Sequence, residues 1–176
     1  GLKQAPRAWN AKITQQLHRM GFATSKSDSS LFIRKGRVGP VSILLYVDDL
    51  VITDAYRGEI DRVKLQLAAS LDMKDLGDLH YLLGIEVIRN PEGILINQHH
   101  YVLSMLFKFG MADCKSVSTP LDRPVKLRPD SGKVCDPTRF RHIVGSLIYL
   151  TITRPDLSYP VRVISQFMAR PTEEHL

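Results

Sequence analysis

Cysteine is scarce in this chain of 176 residues: there are two, Cys114 and Cys135. Without Cys-x-x-Cys spacing they build no disulfide framework, and a reducing compartment is the simpler context. His99-His100 has no partners at zinc-ligand spacing and reads as a surface pair at a helix start. Long apolar runs are missing too. None approaches the ~18 residues needed to span a bilayer, and no basic-then-apolar signal segment opens the chain. No internal repeat or low-complexity tract appears.

What is present is ordinary globular material. The 44% hydrophobic content argues against wholesale disorder. The length fits one domain, or one plus a small appendage. The formal charge of +6 is uneven. Residues 1–100 carry 13 Lys/Arg against 11 Asp/Glu, and residues 101–176 carry 11 against 7. The excess in the second half suits an anionic partner held by its phosphates, or a basic surface without that duty; charge alone leaves both open.

The informative stretch is Tyr46-Val47-Asp48-Asp49. Apolar, β-branched runs flank it, Val41–Leu45 before and Leu50–Thr53 after, a pattern of strand, tight turn, strand. Asp suits turns, so a polar hairpin tip is one reading. The other begins with repulsion. Two carboxylates ~4 Å apart repel by roughly 4 kcal/mol at an effective dielectric of 20, which solvent, a proton or a cation must offset. Mg²⁺ prefers hard oxygen ligands and commonly takes one or two carboxylates plus substrate phosphates.

The rest of the chain supplies helices and further strands. Trp9, Ile13, Leu17 and Met20 recur at helical spacing before Gly21, so the spacing predicts a helix near 5–20 with Pro6 in its first turn. Gln4 and Arg7 lie at its entrance, either as caps or as contacts to a phosphate or base. Asp28-Ser29-Ser30 reads as a turn and Leu31–Arg34 as a strand. Asp54 reads as a solvated loop acid. Ile60, Val63, Leu67 and Leu71 predict a helix near 56–71. Leu79 to Arg89 reads as one long strand containing Gly84, followed by a turn at Asn90–Gly93 and a returning strand at Ile94–Ile96. Tyr101, Met105, Leu106 and Phe109 mark a third helix. The stretch 115–137, with Pro120, Pro124, Pro129 and Pro137, reads as an extended linker. A helix starts at Asp136-Pro137, and a last one carries Val161, Ile164 and Phe167-Met168, with Pro160 expected to delay or bend its start. This order predicts an α+β fold, an antiparallel sheet with helices on one face.

Tyr46-Val47-Asp48-Asp49 resembles the catalytic hairpin of reverse transcriptases. Gly1-Leu2-Lys3-Gln4-Ala5-Pro6-Arg7-Ala8-Trp9 resembles the segment preceding that hairpin in copia-type retrotransposon polymerases. Met73-Lys74-Asp75-Leu76-Gly77 and Tyr81-Leu82-Leu83-Gly84-Ile85-Glu86 are similar to the stretches that follow it. Ser118-Thr119-Pro120, Val144–Thr151 and Thr153-Arg154-Pro155-Asp156 are also copia-like. The matches fall in family order and cover nearly the whole chain.

The resemblance implies a fragment of a Pol polyprotein. Residues 1–112 would be a partial polymerase palm with the catalytic hairpin and a primer-grip-like second hairpin. Residues 113–137 would be a linker, and 138–176 a helical thumb or connection segment. It implies RNA-directed DNA polymerisation by two-metal phosphoryl transfer in the intact parent, with Mg²⁺ or Mn²⁺ held by Asp48 and Asp49. Gln4, Arg7 and Tyr46 would contact substrate. Lys74 would assist the leaving pyrophosphate, although an exposed lysine beside Asp72 and Asp75 is its plainer reading. The implied partners are an RNA or DNA template-primer duplex, deoxynucleoside triphosphates and the remainder of the polyprotein, with no membrane. A cytoplasmic or nuclear setting follows from resemblance alone. Such a site needs another aspartate and fingers upstream, and a ribonuclease H domain follows downstream. The expectation is therefore that this chain alone lacks polymerase activity. The competing expectations are a nucleic-acid-binding module without catalysis and a decayed remnant without function.

Overall fold

The structure, a computed structural model, describes residues 4–121, 127–129 and 132–176. The start of the Gly1–Trp9 stretch and part of the expected linker, Pro124 included, lie outside them. The chain divides into two compact units, Gly1–Leu79 and His80–Leu176.

The first unit opens with helix α1, Ala5–Arg19, with a proline in its first turn as expected. Ile13 and Leu17 are completely buried, and Trp9 packs against the same core. The helix stops where Gly21 takes φ +84, which lets the Phe22 N–H reach back to the Leu17 carbonyl at 3.0 Å. Four antiparallel strands follow in spatial order: β1 Ala23–Thr24, β2 Leu31–Lys35, β3 Pro40–Tyr46 and β4 Asp49–Thr53. The turn into β2 is tied by Asp28, whose carboxylate accepts the Ser30 N–H at 2.9 Å and the Ser30 hydroxyl at 2.6 Å. Helix α2, Arg57–Ala68, completes the unit.

Strand register decides which side chains meet the helices. Leu45 pairs with Leu50 and Ile43 with Ile52, and these face the core together with Phe32 and Val41. Val63 and Leu67 of α2 and Ile13 and Leu17 of α1 fill the same cluster. The ten buried side chains of this core each contribute up to about 1.5–3 kcal/mol of transfer free energy. Alternation then places Leu31, Ile33, Ser42, Leu44, Tyr46, Asp49, Val51 and Thr53 on the opposite face. That face is only partly buried, and Ile33 and Tyr46 are exposed.

One charge enters the core side. Arg34 of β2 donates to Glu59 Oε1 of α2 at 2.9 Å and to the Met20 carbonyl at 2.9 Å, with its guanidinium 4.6 Å from the centre of the Phe22 ring. Two of its N–H groups are thereby bonded, one of them to a counter-charge, where solvent is scarce.

The second unit begins with a three-stranded antiparallel sheet: β5 Tyr81–Leu82, β6 Ile85–Asn90 and β7 Gly93–Asn97. The single long strand expected over 79–89 is in fact broken. Leu83 at φ +54 and Gly84 at φ +86 make a tight turn, and Leu82 pairs with Ile85 across it. The cause is tertiary: the Tyr149 hydroxyl donates to the Leu83 carbonyl, and Tyr101 stacks edge-on against Tyr149 at 5.1 Å.

Helix α3, His99–Lys108, and helix α4, Pro137–Leu150, follow. Asp136 caps α4 by accepting the Thr138 N–H at 2.8 Å. A 3₁₀ turn, Pro155–Leu157, leads directly into helix α5, Ser158–Ser165. Pro160 does not delay its start, which lies at Ser158, because a first-turn residue has no intrahelical acceptor for the missing N–H. Phe167-Met168, expected within this helix, lie beyond its end in turns. Part of the expected linker is pinned. Val134 bridges to Thr172, the Cys135 N–H reaches the Pro171 carbonyl at 3.2 Å, and the Glu173 N–H reaches the Lys133 carbonyl at 2.9 Å. Buried His175 accepts the Thr172 N–H at Nδ1 (3.0 Å), which makes Nε2 the donor to the Arg128 carbonyl (3.1 Å).

The architecture is α+β with antiparallel sheets, as the element order predicts. No helix among the described residues is long and apolar enough to cross a membrane.

Candidate active site

The β3–β4 connection is a two-residue turn, Val47-Asp48, closed by the Tyr46–Asp49 pair. Val47 sits at φ +54. Two-residue hairpins favour positive φ because it matches the twist of the flanking strands, and glycine normally supplies it. A β-branched residue there is strained, at a cost on the order of 1–3 kcal/mol. The valine side chain is 62% exposed, so core packing does not hold it in place. The turn is instead gripped through its backbone: the Trp9 indole Nε1–H donates to the Val47 carbonyl at 2.9 Å. This residue is 38 positions earlier in sequence and otherwise packs on the core.

The hairpin therefore presents two adjacent carboxylates, both exposed. Tyr46 and Asp49 are directly opposed on the face away from the helices. Because Asp48 lies in the turn itself, it stands at the end of that face. Neither is drawn into an ion pair among the described residues; the acids that pair in this unit are Glu59, Asp75 and Asp78. The pair remains available to an external cation. As a donor set, two neighbouring carboxylates open to solvent fit Mg²⁺ or Mn²⁺, which complete their shells with water and phosphate oxygens. Among the described residues no group of three or more His, Cys, Asp or Glu gathers that could hold a metal ion.

The other sequence-derived candidates are more dispersed. Gln4 is exposed and its carbonyl accepts the Ala8 N–H at 3.0 Å, while its side chain makes no capping bond. Arg7 is exposed on α1, about 200° around the helix from Trp9 at the usual 100° per residue. Lys74 is exposed in the segment after α2. Its neighbour Asp75 is engaged elsewhere, by Lys64 at 3.0 Å and by the Gly77 N–H at 2.9 Å. The Gly77 N–H first, and then Lys64, hold the Asp75 carboxyl below its ordinary range.

Asp54, expected to be solvated, is not. Its Oδ1 accepts the Tyr56 N–H at 2.5 Å, and its Oδ2 is buried with no partner among the described residues. The cause is the β2–β3 turn, which folds against the end of β4. A Cβ at Gly36 would come within 3.0 Å of that oxygen and 2.6 Å of the Gly39 carbonyl, so only glycine fits there.

Sequence reasoning gave Trp9 a packing role alone. It is the chain's one tryptophan and stands in the Gln4–Trp9 motif, which was the available signal. Its target, a backbone carbonyl in a strained turn, has no signature in the sequence.

Comparison with known proteins agrees with the hairpin's motif. Residues 1–123 match the family described as Reverse transcriptase (RNA-dependent DNA polymerase). The chain is 46% identical over its whole length to the retrovirus-related Pol polyprotein from transposon RE1 of Arabidopsis thaliana. It is 44% identical over 99% of its length to that from transposon RE2 of the same plant. It spans 12% of the length of each. A putative transposon Ty5-1 protein of Saccharomyces cerevisiae is 35% identical over the whole chain, which covers 58% of that protein. No solved structure matches.

Proposed function

The chain belongs to the reverse transcriptase (RNA-dependent DNA polymerase) family, and from that premise we propose that it is the part of a copia-type polymerase that carries the catalytic hairpin. Residues 1–112 are the palm, and residues 138–176, which include most of helix α4 and all of α5, belong to the thumb or connection. The reaction is addition of a deoxynucleotide to a primer end by two-metal phosphoryl transfer, directed by an RNA or DNA template.

The observation that carries this reading is the hairpin itself. It holds two adjacent carboxylates, in no ion pair among the described residues, at the rim of the half-exposed sheet face opposite the buried core. Asp48 and Asp49 are the residues that hold Mg²⁺ or Mn²⁺. Bound there, the metal would supply the positive charge that offsets the charge developing on the transferring phosphoryl group. Tyr46 lies beside Asp49 and supports the primer end with its ring. The half-exposed surface of Leu31, Ile33, Leu44 and Val51 leads up to it, where a template-primer duplex lies. Gln4 and Arg7 contact the incoming nucleotide or template, and Lys74 offers its ammonium to the leaving pyrophosphate; these three roles rest on resemblance. The remainder of the Pol polyprotein supplies further groups. Two carboxylates alone cannot keep both ions in register with triphosphate and primer, so the isolated chain is inactive.

The test is primer extension on an RNA template. The chain is assayed alone and again when spliced into the RE1 polyprotein in place of its 46%-identical stretch. The expected result is extension by the spliced protein only, abolished by Asp48→Asn or Asp49→Asn. Extension by the chain alone would overturn the inactivity. A folded but silent spliced protein that still binds duplex in a salt-sensitive way would favour a non-catalytic nucleic-acid-binding remnant.

A further inference from the structure

We infer that Trp9 is a positioning residue for the acidic pair: its indole N–H, bonded to the Val47 carbonyl, holds the turn in the one shape that presents Asp48 and Asp49 together. The inference rests on the metal-binding reading above for its functional consequence, but its structural part stands by itself.

Three observations converge. Val47 occupies a left-handed conformation that β-branched residues avoid, and its exposed side chain gains little in return. Without a further tie, the valine's preference for negative φ pulls against the positive φ that the hairpin asks for, and the turn relaxes part of the time. That relaxation rotates the peptide planes on either side of Val47 and so re-aims the Asp48 side chain. The Val47 carbonyl is where such a rotation is most cheaply blocked, and it is the atom the Trp9 indole reaches at 2.9 Å. The anchor is itself rigid. Trp9 sits on the same helix face as Ile13 and Leu17, both fully buried, and packs against their cluster. A bicyclic ring with two torsions, fixed on a buried helix face, is a stiff lever from the core to the turn. A phenylalanine there would keep the packing and lose the donor.

The N–H can be removed with little else changed. Trp9 is the chain's one tryptophan, so replacing tryptophan biosynthetically with 3-benzothienylalanine alters this side chain alone, exchanging N–H for sulfur in a bicycle of like shape. Trp9→Phe is the second variant. Two readouts are taken on the whole chain. The first is amide hydrogen exchange over residues 45–50. The second is Mn²⁺ binding, followed by loss of the free-ion paramagnetic resonance signal, with Asp48→Asn/Asp49→Asn as the reference for binding elsewhere.

The expected result is faster exchange over 45–50 in both variants, with exchange in α1 and β2 unchanged for the sulfur isostere. Mn²⁺ binding should weaken by about three- to tenfold, the factor that corresponds to one neutral hydrogen bond. If the isostere leaves both hairpin exchange and Mn²⁺ binding as in the unmodified chain, the inference is overturned and Trp9 only packs. If Mn²⁺ binding in the unmodified chain does not depend on Asp48 and Asp49, the metal reading fails instead. Exchange over 45–50 then decides the tether by itself: faster exchange keeps it, and unchanged exchange overturns it.

Discussion

Removing Glu59 should unfold the first unit far more readily than its place on a helix surface suggests. Arg34 and Glu59 meet at 2.9 Å with side chains 17% and 11% exposed. In Glu59→Ala the guanidinium stays largely shielded from water. It keeps the Met20 carbonyl and the Phe22 ring face, and loses its counter-charge. Breaking a buried pair from one side costs about 3–5 kcal/mol, and residual solvent access at this pair lowers that to about 2–4 kcal/mol. Arg62, 3.8 Å from the other oxygen of Glu59 and well exposed, contributes little by comparison. At an m-value of about 2 kcal/mol per molar, the urea midpoint should fall by about 1–2 M. The double variant Arg34→Met/Glu59→Leu removes both charges together and should be less damaging than Glu59→Ala alone, because no unpaired ion remains. Urea unfolding followed by the fluorescence of Trp9 reports this unit selectively, since the second unit has no tryptophan. A cost below about 1 kcal/mol for Glu59→Ala would place the pair with ordinary surface ion pairs and refute the reasoning. So would a double variant worse than the single one.

The second unit offers further checks. Gly84→Ala should destabilise it by about 1–3 kcal/mol through the φ +86 backbone alone, since an added Cβ meets Tyr101 and Tyr149 only at ordinary contact, 3.6 and 3.7 Å; thermal unfolding measures this, and no loss would mean the turn readily changes shape. Asp136→Ala should cost about 0.5–2 kcal/mol by removing the α4 cap, with Asp136→Asn nearly neutral in the same melt. Glu86 accepts both the His100 N–H and its ring Nδ1 at 2.9 Å, and these, the backbone N–H first, hold its carboxyl below the ordinary 4.5. Its stabilisation is complete above about 4.5, where folded and unfolded carboxyls are both ionised, and is lost as pH falls through the lowered folded value. Glu86→Gln should therefore flatten the acid side of the stability profile of β6 and α3, read by amide exchange; an unchanged slope would remove Glu86 from the account.

Much of this protein is written locally. The apolar runs around Asp48-Asp49 dictate a hairpin because alternation with period two leaves only one register that buries Val41, Ile43 and Leu45 together. The helical spacing of Trp9, Ile13 and Leu17 sets both the helix and the face it buries. The family resemblance was legible for a related reason: the hairpin's chemistry sits in four consecutive residues. The breaks came where distant parts of the chain meet. Leu83 and Gly84 looked like the middle of a strand, and a turn forms there because Tyr149, 66 positions later, takes up the Leu83 carbonyl. Asp54 looked solvated until the Gly36 turn closed over one of its oxygens. The stretch after Gly132 looked like linker until residues 171–173 paired with it. Trp9 looked like packing until its N–H proved to reach the Val47 carbonyl. Periodicity and turn chemistry record what a residue needs from its near neighbours, and composition records how much core can form. Neither records which backbone carbonyl a side-chain donor will find 38 or 66 residues away. That pairing exists only once the chain is folded, because the free energy that selects it comes from groups which share a site in space and not in sequence.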